Sequence, residues 1–124
     1  MFSLRADWNP KQTALKEALS KPKRFNEAIR LCLELHGLVH SGKAVSKKTP
    51  TFFDELLDGL TKEAFSVMPS PKDTTIAWNI WHITRIEDIT ANILIAGGKQ
   101  VLNNLWLKKL GTRIRDTGNA MTKD

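Results

Sequence analysis

Thr75-Ile76-Ala77-Trp78-Asn79-Ile80-Trp81-His82-Ile83-Thr84-Arg85-Ile86-Glu87-Asp88, continued by Ile89-Thr90-Ala91-Asn92-Ile93-Leu94-Ile95-Ala96, is the longest apolar-rich stretch of the chain. Asp73, Thr74 and Thr75 offer side-chain oxygens that can cap a helix start, and Gly97-Gly98 can end one in a left-handed conformation. The spacing predicts one long helix between them. At about 100° per residue, Trp78, His82, Ile86, Ile89 and Ile93 share one apolar arc, and Ile76, Ile80, Ile83 and Leu94 a second. Arg85, Asp88 and Asn92 fall on the opposite side, read as a solvated face where Arg85 and Asp88 pair at i,i+3 for roughly a few tenths of a kcal/mol. Glu87 lies within the second arc, with its partner open. A helix apolar on two arcs needs neighbours on both, which fits the interior of a bundle.

Upstream, Phe25, Ile29, Cys32, His36 and Val39 recur at three-to-four spacing and predict a first long helix from Phe25 to about His40. Ser41-Gly42 is expected to end it through a left-handed glycine. Before it, Asn9-Pro10 reads as the start of a short helix to about Leu19, and Lys21-Pro22 restarts the chain. Residues 43–50 read as a loop. Phe52 to Leu60 is a short helix, Thr61 caps one further turn through Phe65, and Pro69, Ser70 and Pro71 stop it. Downstream, Lys99 to Leu110 predicts one or two short helices with Leu102, Leu105, Trp106 and Leu110 inward, before Gly111. No strand pattern appears. Ala120 to Asp124 looks like the approach to another helix with Thr122 at the cap, which reads as truncation of a longer protein.

A length of 124 residues fits a single helical domain, 1–124. Hydrophobic residues at 41% and charged residues at 26% describe a chain that folds. Asn79, His82, Arg85, Glu87, Asp88 and Asn92 exclude a membrane span from the longest apolar stretch. Met1 to Pro10 has no apolar run with a cleavage site, so a cytoplasmic protein is expected. Cys32, the one cysteine, cannot form an internal disulfide and is read as a small buried hydrophobe. The net charge of +6 is spread over Lys21, Lys23, Arg24, Lys43, Lys47, Lys48, Lys108, Lys109, Arg113 and Arg115. That is not the concentrated, aromatic-lined stripe that nucleic-acid binding uses.

His82 stands in the middle of an apolar face, either as a hydrogen-bonded core residue or as a metal ligand. His36 and His40 are four apart, so both could turn a nitrogen toward one ion, with His82 as a third ligand from a facing helix. Three histidines and a water would make an open, catalytic type of site. No glutamate follows His36 as in the zinc-protease helix pattern. Trp78 and Trp81 read as packing residues.

The segment 75–88 quoted above resembles the second bundle helix of the DinB-like (DinB/YfiT) superfamily: the Thr75-Ile76-Ala77-Trp78 run, then His82, then Arg85-Ile86-Glu87-Asp88. Leu33 to His40 and Ala96 to Val101 are similar to neighbouring parts of that family. The resemblance implies an all-α, up-and-down four-helix bundle, frequently dimeric, holding a divalent metal (nickel, zinc or iron) on three histidines. It implies His82 as the ligand from the second helix. The family's other two ligands are a histidine pair on its last helix, and no histidine follows His82 here. Either the chain is the N-terminal part of a longer member, with the metal absent from it, or His36 and His40 serve instead. Asn79 and Arg85, one turn either side of His82, are implied as outer partners or substrate contacts.

Characterised relatives include metal-dependent thiol transferases acting on small molecules. The resemblance therefore implies either such an enzyme or its metal-free fragment. The alternative is a dimerisation module without catalysis. Two long helices and several short ones leave apolar faces that a chain of this size does not cover, so a homodimer that completes the bundle is expected.

Overall fold

The computed structural model describes residues 4–45 and 49–120, and every regular element among them is helical. The chain divides into two compact units, Met1–Leu60 and Thr61–Asp124.

In the first unit, α1 (Leu4–Leu19) and α2 (Phe25–Leu38) form an antiparallel hairpin joined through a 3-10 turn at Pro22–Arg24. Helix α1 begins at Leu4 rather than at the Asn9-Pro10 signal, with Pro10 inside it. Proline already has a helical φ and forfeits one backbone hydrogen bond. The turn that precedes it is anchored by Trp8, whose ring meets Phe52 edge-on at 5.4 Å. A cross-helix pair marks the antiparallel register, Lys11 lying 3.5 Å from Glu34, and Arg24 at the end of the turn lies 3.8 Å from Glu17 of α1.

The hairpin buries Ala18 of α1 and Ala28, Leu31, Leu35 and Leu38 of α2. This corrects the expected inward face, because Phe25, Ile29, Cys32 and Val39 are exposed. Helix α2 carries two apolar stripes, and α1 takes the one that begins at the small Ala28, where two backbones can approach. The end of α2 also differs from expectation. Val39 N–H closes back on the His36 carbonyl at 3.1 Å, and Gly42 is not among the left-handed glycines. Of the 43–50 loop, residues 46–48 lie outside the described residues. Helix α3 (Phe52–Leu57) follows from a capping box at Thr51.

In the second unit, Thr61 caps α4 (Lys62–Ser66) by accepting from Ala64 N–H at 3.2 Å. Thr75 caps α5 (Ile76–Asp88) by accepting from Trp78 N–H at 2.9 Å. The helix continues as expected toward Gly97, but from Ile89 to Ile95 it widens into π-helical turns. Gly97, at φ 62°, then turns the chain. Helix α6 (Asn104–Leu110) starts on Asn103, which accepts from the Leu105 and Trp106 N–H groups. Its buried residue is Leu107, whereas Leu105, Trp106 and Leu110 are exposed. The expected cap at Thr122 lies outside the described residues.

The largest correction concerns α5. The face expected to be solvated is the buried one: Arg85 is 2% exposed, while Ile83 is 63% exposed. One Arg85 Nη donates to Asp88 at 2.6 Å, and the other donates to Gln100 Oε1 and, at 2.9 Å, to the Arg115 carbonyl. Asp88 also accepts from the N–H groups of Val101 at 2.8 Å and Leu102 at 3.0 Å, and from the Asn92 amide at 2.9 Å. Burial alone would raise the Asp88 carboxyl, and it is the largest single influence. The two backbone N–H groups, the Asn92 amide and Arg85 together outweigh it and hold the carboxyl below its ordinary 3.8. This network ties the post-helical loop and the tail to α5.

Candidate metal-ligating histidines

His36 occupies the last turn of α2 and His40 lies one turn further on, so the i,i+4 spacing brings their rings together. The centroids are 4.3 Å apart and the two Nε2 atoms 3.0 Å apart, so one Nε2 carries the hydrogen and the other accepts it. Two nitrogens on one ion at about 2.1 Å would stand about 3.0 Å apart at right angles and about 3.4 Å apart in a tetrahedron. The pair thus has the spacing of a two-histidine chelate.

His40 is placed by its own backbone. Thr51, fully buried, donates its hydroxyl to the His40 carbonyl at 2.5 Å. The Asp54 carboxylate accepts from Gly42 N–H at 3.0 and 3.2 Å and from Thr51 N–H at 3.0 Å. The capping box of α3 therefore clamps the chain on both sides of Ser41. The Thr51 N–H above all, with help from the Gly42 N–H, holds the Asp54 carboxyl below its ordinary 3.8 against the opposing effect of burial. Sequence reasoning missed Thr51 and Asp54, although the Thr51-x-x-Asp54 pattern before an apolar run is a capping-box signature.

His82 belongs to the second unit, and its ring is fixed in two ways. It stacks on Trp78 with centroids 4.5 Å apart and planes 11° from parallel, and its Nδ1 lies 2.8 Å from the Thr117 carbonyl oxygen. A carbonyl only accepts, so Nδ1 carries the hydrogen and the neutral ring presents a bare Nε2. No hydrogen bond reaches that Nε2 among the described residues, and none of their buried side-chain nitrogens or oxygens is without a partner. The Nε2 is therefore open to solvent.

The remaining candidates are structural in position. Asn79 donates to Thr74 Oγ1 and to the Thr75 carbonyl, both at 2.8 Å, closing the first turn of α5. Arg85 is enclosed by the network described above. The sequence-predicted trio thus divides, His36 and His40 in the first unit and His82 in the second.

The described residues define an all-helical protein with two histidines facing each other at the end of one helix and a third, tautomer-fixed histidine on another. A family model, that of the DinB superfamily, matches residues 47–122, and the chain belongs to that superfamily. Neither the curated proteins nor the solved structures contain a match. No helix among the described residues is long and apolar enough to cross a membrane.

Proposed function

We propose that this chain is a divalent-metal-binding member of the superfamily, with His36 and His40 as one chelating pair and His82 as a further ligand position. The single observation that carries this reading is the 3.0 Å separation of the His36 and His40 Nε2 atoms, the right-angled edge of an ion with about 2.1 Å metal–nitrogen bonds. The donor set suits the borderline ions nickel, zinc and iron(II), which take neutral imidazole. Such an ion supplies Lewis-acid polarisation of a small substrate or activation of a bound thiolate, the chemistry of a thiol transferase. The chain's own part is to hold the nitrogens: Thr51 and Asp54 fix the backbone at His40, and Thr117 and Trp78 fix the His82 ring.

Titration with cobalt(II), read by its visible absorption, tests the pair. Saturable binding that the His36→Ala/His40→Ala variant lacks is expected. Equal binding by the variant would contradict it.

A second reading, self-association through a helical face, is favoured by the exposed apolar surface of the second unit. Ile83, Leu94 and Ile95 are 63%, 73% and 80% exposed, and large apolar side chains left in water are candidates for burial at an interface. The occupant proposed is a second copy of the chain.

A further inference from the structure

Four side chains of α5 address four successive carbonyls of the tail. Arg85 donates to the Arg115 carbonyl at 2.9 and 3.1 Å, Trp81 Nε1 to Asp116 at 3.2 Å, His82 Nδ1 to Thr117 at 2.8 Å and Trp78 Nε1 to Gly118 at 2.9 Å. Two local devices shape the tail for this. The Asp116 carboxylate accepts from Gly118 N–H at 2.7 Å, an Asx turn, and Gly118 sits at φ 83°, where a side chain would be strained.

We propose that segment 115–118 is a positioning element for His82, and that Asp116 and Gly118 are positioning residues which present the Thr117 carbonyl to Nδ1 and so reserve Nε2 as a metal-ligating atom. Ligating histidines commonly donate their second N–H to a carbonyl, which fixes tautomer and ring orientation. Here that carbonyl stands 2.8 Å from His82 Nδ1. The Trp78 ring closes one face of the imidazole, and the two tryptophan N–H groups anchor the carbonyls on either side of Thr117, so the strap is fixed as a unit rather than through one bond. The functional half of this inference rests on the reading of His82 as a ligand. The tautomer half does not.

The test separates them. Long-range proton–nitrogen spectra of the full chain at about pH 8.5, two units above an ordinary imidazole, should show His82 protonated at Nδ1 and bare at Nε2. Asp116→Ala should shift it toward the other tautomer. Asp116→Asn, which keeps the acceptor oxygen, should not. Gly118→Ala, which strains the same turn, should act as Asp116→Ala does. Nickel titration followed at the His82 ring nitrogens of the full chain should show binding that Asp116→Ala weakens about 10–100-fold, the usual loss for an outer partner of a ligating histidine. A wild-type His82 protonated at Nε2, or a tautomer unmoved by Asp116→Ala, would overturn the positioning role. Nickel that ignores a correctly held His82 would instead contradict its reading as a ligand.

Discussion

Arg85 and Asp88, one turn apart on α5, form a 2.6 Å ion pair whose side chains are 2% and 10% exposed. A pair this enclosed is expensive to break from one side, since the partner left behind is a buried, uncompensated charge. Arg85 also holds the Arg115 carbonyl and Gln100, so its loss releases the tail as well. Arg85→Met is expected to lose about 3–5 kcal/mol of unfolding free energy, measured by urea denaturation. A loss of a few tenths would return the pair to the surface role its spacing suggested.

Thr51 joins the cap of α3 to the carbonyl of His40. Thr51→Ala should lose about 1–2 kcal/mol, as a capping side chain does, and should also weaken cobalt binding at the histidine pair. Thr51→Ser, which retains the hydroxyl, should restore both. Denaturation and cobalt titration on the same samples check this.

Acid should undo both clamps. Asp54 and Asp88 are each held below their ordinary 3.8 in the folded protein, so the unfolded chain binds more protons as pH falls through that range. Their contribution is present in full above 3.8 and is lost as pH drops through the lower folded values. Urea midpoints measured between about pH 5 and pH 2.5 should fall, and more shallowly in Asp54→Asn than in the wild type.

The helix boundaries at Thr61, Thr75 and Gly97 were legible from local chemistry, whereas the Asn9-Pro10 and Ser41-Gly42 signals did not mark the ends of α1 and α2. Thr61 and Thr75 cap the helices they were expected to cap, and Gly97 ends the long one, because a cap is made by residues two or three positions away. The inward faces were not legible. Helix α5 carries its apolar residues on two arcs, and Arg85 goes inside because the carbonyl of a residue thirty positions later receives it. Cys32 was misjudged for the same reason, as α1 covers the Ala28–Leu31–Leu35 stripe instead. The π-helical turns at Ile89–Ile95 carry no glycine or proline to announce them. Of the site, the His36/His40 spacing was visible, whereas the clamps on His40 and His82 come from residues 11 and 35 positions away.

The exposed apolar side chains of the second unit, Ile83, Leu94 and Ile95, carry a prediction of their own. The wild-type chain should sediment as a dimer at micromolar concentration, and Leu94→Lys/Ile95→Lys should sediment as a monomer without loss of helical circular dichroism. A monomeric wild type would remove the self-association reading and leave the metal reading untouched.

Metal content after exhaustive dialysis tests the central claim most directly, measured by elemental analysis on the wild-type chain beside His36→Ala/His40→Ala and His82→Ala. The account predicts about one nickel, zinc or iron ion per wild-type chain held by the histidine pair, lost in the double variant and kept in His82→Ala, as expected for ligand deletion at the pair. A folded wild-type chain that carries no ion and takes up none when nickel or zinc is supplied would contradict it.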